Sequence, residues 1–325
     1  MFNLFACFAL NEYFHSIMEQ LNLQNVEQIK EKLSSFSNPV EARGFLLKML
    51  QMDKFAEKRK IVEVGSLPVH CEVYESKKDD PVIIFIPGIG TYAEMYCEFL
   101  YKLSQWGFNV IGIDLRGHGY SGGDRGYYTT EEVQSDISEI ITHFSHKYND
   151  NIALFGCSIG SPLALAAAEN DNRVKALLCH TLFLTEYPLD LTTMVGWKTL
   201  GLTNVFMPHY KIDFRMFIDV NQLSKDSPFK HFMDFDDLLV WNYPVKTLNS
   251  VYSRRCKVLW QQFDFKAAII LGDKDELVKV AYEKDIISKM QHPFELVVIP
   301  EGNHMLPFDH IKDLVLSSRD FFNKA

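Results

Sequence analysis

The sequence predicts an α/β fold: a mostly parallel central sheet with helices on both faces, interrupted by one long insertion. Three observations predict it. From residue 61 onward, short apolar runs rich in β-branched residues alternate with amphipathic stretches. The alternation stops near residue 182 and resumes near residue 263, across a segment too long for a loop inside a compact domain. Gly-containing loops follow several of the apolar runs, at the strand ends where ligands gather in open α/β sheets.

Residues 1–60 read as an N-terminal helical extension. Met18, Leu21, Ile29, Leu33 and Phe36 recur at roughly helical spacing; Pro39 and Gly44 interrupt, and Phe45, Leu46, Leu47 and Leu50 form a second apolar face. The opening run MFNLFACFAL is apolar but only about half a membrane span long. It lacks a basic leading segment and a clear small-residue cleavage site, so it reads as a packed or interfacial helix.

The core is expected over residues 61–182 and 263–325. Residues 69–74 alternate and suit an antiparallel strand, whereas 82–86 are continuously apolar, as in a strand buried on both faces. Gly88 and Gly90 follow, then a helix over about 92–106 and a strand over 109–113 ending at Asp114. A helix opens near Thr129, which is spaced with Glu132 as a capping box ahead of the apolar face Val133, Ile137, Ile140, Ile141 and Phe144. Strand 151–155, helix 159–169 and strand 174–179 come next. After the insertion come strand 267–271, helix 280–290, strand 294–299 and a last helix over about 308–322. The insertion, 183–262, is rich in Phe, Trp, Leu, Met and Tyr; it reads as a mainly helical cap over one edge of the sheet, not as a linker.

Composition narrows the function classes. Of the 325 residues 47% are hydrophobic and 23% charged, as in an ordinary globular protein. A net charge of −9 with no long run of Lys or Arg lacks the basic face that phosphate binding needs, so no nucleic-acid partner is expected. Six cysteines stand at 7, 71, 97, 157, 179 and 256 with no C-x-x-C pair, a spacing that suits neither a zinc site nor a disulfide framework. They read as free buried thiols of a reducing, cytoplasmic compartment. The N-terminal helices and the cap are the candidate faces for peripheral membrane contact.

The chemistry gathers at strand ends. Strand 151–155 runs into Gly156-Cys157-Ser158-Ile159-Gly160, and a helix rich in Ala and Leu follows at once. This is G-x-S-x-G in the strand–turn–helix setting that makes a serine an exposed nucleophile, so Ser158 is the candidate. A serine of ordinary pKa needs a base, and the base an orienting acid. His304 follows the last strand on a Gly-containing loop, while Asp273 and Asp275 compete for the acid after strand 267–271. Ser, Asp, His is the chain order the motif requires. The oxyanion needs two backbone donors: Ile159, next to the nucleophile, and Ile89, in Pro87-Gly88-Ile89-Gly90 after the third strand.

Together these stretches resemble the α/β-hydrolase superfamily, in particular its monoacylglycerol lipase and lysophospholipase-like branch, over residues 61–325. The resemblance is carried by residues 87–90, by Asp114-Leu115-Arg116-Gly117-His118-Gly119-Tyr120-Ser121-Gly122, by residues 156–160, by Gly272-Asp273-Lys274-Asp275 and by Gly302-Asn303-His304. It implies Asp275 as the triad acid, His304 as the base and a structural role for Arg116. Two departures stand out. Pro87 occupies the place where the family usually has His, so the hydrogen bonding of that loop should differ. The first sixty residues have no counterpart in a minimal member.

The resemblance implies cleavage of carboxylic esters through an acyl-enzyme, with no metal and no organic cofactor. The aromatic and aliphatic cap points to a small-molecule ester with an apolar acyl chain, such as a lysophospholipid or monoacylglycerol. Acyl thioester cleavage, acyl transfer to an alcohol and a non-catalytic binding module are the alternatives on the same fold.

Overall fold

The computed structural model describes residues 26–217 and 236–325. The apolar run 1–10, Met18, Leu21, Cys7 and residues 218–235 of the insertion lie outside the described residues. The strands are β1 (Lys60–Val64), β2 (Val69–Tyr74), β3 (Val82–Ile86), β4 (Asn109–Ile113), β5 (Ile152–Cys157), β6 (Val174–His180), β7 (Lys211–Asp213), β8 (Asn242–Pro244), β9 (Lys266–Gly272) and β10 (Glu295–Ile299). The α-helices are α1 (Val26–Ser34), α2 (Pro39–Met49), α3 (Asp53–Ala56), α4 (Cys97–Ser104), α5 (Thr130–Lys147), α6 (Gly160–Ala168), α7 (Leu191–Phe206), α8 (Val245–Tyr252), α9 (Val280–Lys289), α10 (Leu306–Asp309) and α11 (Ile311–Phe322).

The main sheet has the order β1-β2-β4-β3-β5-β6-β9-β10. Strands β1, β2 and β4 pair antiparallel at one edge, and every pair from β4 to β10 is parallel. The central strands are buried on both faces, which is why they read as unbroken apolar runs. Side chains alternate between two cores: Val82, Ile84 and Ile86 of β3 face α5 and α6, while Ile83 and Phe85 face α4 and α11. The capping box of α5 forms in full, with Thr129 and Glu132 each bonding the other's backbone.

The N-terminal helices pack on this body. Ile29, Leu46 and Met49 form a small core between α1 and α2, and Leu47, Met52 and Ala56 join the α4–α11 core beneath them.

Four sequence expectations need correction. Strand β2 is antiparallel, but all six of its residues are buried; on its polar face Glu72 lies against Arg59 and His70 against the Tyr120 ring rather than in water. The helix expected over 92–106 opens as a 3-10 turn (Ala93–Tyr96), where Asp114 accepts the Ala93 amide at 2.7 Å, and becomes α-helical only at Cys97. The last helix is broken at His310, so α10 and α11 are separate. Besides α7 and α8, the insertion carries the antiparallel ladder β7–β8, whose three-residue strands are too short to show a period of two.

Candidate active site

Ser158, Ile89, the two aspartates and His304 all follow carboxyl ends of parallel strands: β5, β3, β9 and β10. At the end of β5 the chain turns within two residues into α6. Ser158 sits in the turn at φ +50°, a strained value for a residue with a side chain, and its amide donates to the His180 carbonyl. The turn is possible because Gly160 lies against β3: a Cβ there would come within 2.4 Å of the Ile86 carbonyl oxygen. Ser161 Oγ, donating to the Gly156 carbonyl at 2.8 Å, closes the turn from within. Ser158 is half-buried, whereas Cys157 is buried among the α4–α11 core, and burial pushes its thiol up to about 12.

His304 bridges serine and acid. Its Nδ1 lies 2.8 Å from Asp275 Oδ2 and its Nε2 3.2 Å from Ser158 Oγ. Asp275 is held in turn: its Oδ1 accepts the amides of Leu277 and Val278, both at 2.8 Å. Burial resists the charge on Asp275, but His304 and the Val278 amide outweigh it and the pKa is lowered. Burial also works against a charged His304, yet Asp275 outweighs it and the imidazole pKa is raised.

Asp273 does other work. It is exposed, and its Oδ1 accepts the Glu301 amide at 2.8 Å, holding the loop that carries His304. The two loops meet backbone to backbone: Lys274 N donates to the Gly302 carbonyl at 2.8 Å, and a Cβ on Gly272 would fall 1.9 Å from that oxygen. His180 braces the same loop. Both ring nitrogens lie 3.0 Å from carbonyl oxygens, of Ile270 and His304, and burial with the neighbouring His304 pushes its pKa down to about 4.

The loop 87–90 lies against the elbow, with a Cβ on Gly88 only 3.6 Å from Ser158 Cβ. With Pro87 in place of the histidine that the resemblance implies, the loop is held by Tyr96 and Thr91: Gly88 N donates to Tyr96 Oη at 3.2 Å, and Thr91 Oγ1 donates to the Gly88 carbonyl at 2.8 Å. Neither the Ile89 nor the Ile159 amide donates to another group among the described residues. Tyr96 and Thr91 were not singled out from sequence, because a tyrosine on an apolar helix face reads as core. The 114–122 loop is held by its own charges. Asp114 accepts the amides of Ala93 and Tyr120, and Arg116 forks onto Asp136 at 2.6 and 2.7 Å and reaches Glu132. His118 is tied to Tyr243 of the insertion at 2.8 Å.

The apolar residues of the insertion divide. Leu184, Phe214 and Leu239 are buried, and Phe183, Leu238 and Trp241 pack against the cores. Phe206, Met207, Met216 and Phe217 are exposed, with Met216 at 78%. Among the described residues no group of three or more His, Cys, Asp or Glu side chains is arranged to hold a metal ion, and no helix is long and apolar enough to cross a membrane.

The family described as serine aminopeptidase, S33 matches residues 77–311. A 31.7 kDa Escherichia coli protein from the traX–finO intergenic region, described as uncharacterized, is 30% identical over 115 residues, 34% of this chain. The chain matches 40% of that relative's length. Among solved structures, a soluble variant of monoglyceride lipase from Saccharomyces cerevisiae bound to a substrate analogue superposes with a TM-score of 0.68 at 15% identity, covering 82% of this chain and 94% of that one. A monoacylglycerol lipase of Paleococcus ferrophilus gives 0.60 at 17%, covering 78% and 99%. At these identities the likeness is one of fold.

Proposed function

This chain belongs to the serine aminopeptidase family of α/β hydrolases, and from that premise we propose that it cleaves carboxylic esters of an apolar acyl chain, with Ser158 as nucleophile. The observation that carries the reading is the unbroken hydrogen-bonded chain from Asp275 through His304 to Ser158. Ser158 Oγ attacks the ester carbonyl while His304 Nε2 takes its proton. Asp275 keeps the other ring nitrogen protonated and stabilises the imidazolium. The oxyanion forms between the amides of Ile89 and Ile159, each worth roughly a hundred- to a thousandfold in rate. His304 returns the proton to the leaving alcohol, then takes one from water as the acyl-serine is hydrolysed.

The cap supports the choice of an apolar acyl group, with lysophospholipid or monoacylglycerol as the leading class. Helix α7 has no buried residue, and Leu191, Val195, Leu202 and Val205 line one exposed face at helical spacing. Residues 191–217 hold three cations and one acid in a chain of net charge −9. An apolar face with a basic tint suits contact with an anionic lipid surface, from which such a substrate would enter.

The test is turnover of p-nitrophenyl esters of rising chain length, beside an amino-acid p-nitroanilide, by wild type and Ser158→Ala. Decanoate preferred over acetate, no anilide cleavage and no turnover by the variant are expected. Turnover surviving in Ser158→Ala overturns the mechanism, and a preference for acetate or the anilide overturns the substrate class.

A further inference from the structure

We propose that Arg43, on α2 of the N-terminal layer, is a positioning residue for this site: it holds the returning end of the cap on the loop that carries Ile89. The inference rests on the reading of Ser158 and Ile89 given above.

Segment 236–241 brings the insertion back to the core, and it lies on the loop 87–90. Val240 N donates to the Gly90 carbonyl at 3.0 Å, and a Cβ on Gly90 would meet the Val240 carbonyl oxygen at 2.5 Å. Arg125 donates to the Leu238 carbonyl. The third tether comes from outside the residues that match the family. Arg43 Nη1 donates to Asp236 Oδ2 at 2.9 Å, its Nε donates to Glu94, and its Nη2 donates to Tyr92 Oη. Tyr92 Oη donates to the same Asp236 carboxylate, and Arg43 stacks on the Tyr92 ring at 5.2 Å.

The electrostatics give Arg43 its importance. The side chains of Asp236 and Glu94 are each 1% exposed, and they meet around one guanidinium. Glu94 has a second cation in Arg59, whereas Asp236 pairs with no other among the described residues. Without Arg43, a buried Asp236 carries an unpaired charge beside Glu94, an arrangement far costlier than exposure to water. Segment 236–241 then leaves the Ile89 loop, which it meets through the Val240 amide and the Gly90 carbonyl. Lysine does not replace this residue, because a single ammonium lacks the planar fork that reaches two carboxylates and a phenol. The N-terminal layer thus helps to hold the end of the cap beside the candidate site.

On this proposal the long acyl chain of p-nitrophenyl decanoate senses the position of the cap and that of the acetate does not, so the experiment compares kcat/KM for the two. Arg43→Gln is expected to lower the decanoate-to-acetate ratio about tenfold, mostly through KM, as a loss of contact worth about a factor of ten in affinity does. Asp236→Ala, which leaves Arg43 paired with Glu94 and is the variant to use if Arg43→Gln does not fold, is expected to lower it less, since it removes the tether without leaving a buried charge unpaired. The double variant should lose no more than Arg43→Gln alone, since both substitutions remove the same tether. Arg43→Lys should fall between. Equal losses on both esters, tracking a fall in Tm, or an unchanged ratio in Asp236→Ala, overturn the proposal. Ser158→Ala is assayed beside them. Turnover there overturns the hydrolase reading itself, whereas Ser158-dependent turnover with an unchanged ratio overturns only the role of Arg43.

Discussion

Helix α6, which leads out of the elbow, and helix α7 of the cap are both predominantly apolar, yet every residue of α6 is buried and none of α7 is. Helix α6 lies between the sheet and α5, so its Ala and Leu side chains have a core on each side. Helix α7 packs on α8 and through Trp197 on Tyr252, leaving Leu191, Leu202 and Phe206 in solvent at 70%, 66% and 76%. Apolar composition alone therefore does not say which helix is structural and which is a surface. One buries apolar area to hold a strained serine still; the other leaves it uncovered, where a substrate or a lipid surface can supply the cover.

Substitutions at the elbow and in the cap separate the two roles, and those at the rigid elbow cost most. Asp275→Asn should lower kcat about 10⁴-fold by presenting the wrong His304 tautomer, read as steady-state turnover of the decanoate ester, whereas Asp273→Asn should leave most activity. Next, Leu165→Ala in α6 should destabilise the protein by about 2–5 kcal/mol, measured by urea unfolding, while Leu202→Ala in α7 should stay within about 0.5 kcal/mol. Equal losses would erase the distinction between the helices.

The pH profile comes third. His304 acts as a base only when neutral, and Asp275 raises its pKa above the ordinary 6.5. The acid limb of kcat/KM should therefore inflect above that value, and in Asp275→Asn the residual activity should inflect at lower pH. Smallest is the cap: Leu202→Ala should weaken partition onto anionic vesicles about tenfold, or about 1.4 kcal/mol, somewhat over half of what three fully immersed carbons lose at about 0.8 kcal/mol per CH₂, as suits a side chain lying in the interface.

Much of this was legible in the sequence, for identifiable reasons. The parallel strands show because burial on both faces demands continuous β-branched runs, and the elbow shows because its glycines are forced by backbone contact. Asp275 and Asp273 were not separable by residue type; what separates them is that Asp275 is buried against His304, 29 residues on, while Asp273 is exposed and holds only the Glu301 amide, and both pairings cross between loops. Arg43 and Asp236 were not legible at all, because they lie 193 residues apart in sequence and nothing local marks either. The burial of β2 was missed because its polar residues are covered by side chains from other segments, Glu72 by Arg59 and His70 by Tyr120, and an alternating strand does not reveal that cover.

The central claim is that Ser158, raised in its strained turn beside His304, is the nucleophile. It is tested most directly by treating the whole chain with a fluorophosphonate and mapping the adduct by peptide mass spectrometry. A single adduct on the peptide holding Ser158, lost in Ser158→Ala and slowed by orders of magnitude in His304→Ala, is the expected result. An adduct on another residue, or labelling and ester turnover that persist in Ser158→Ala, would contradict it.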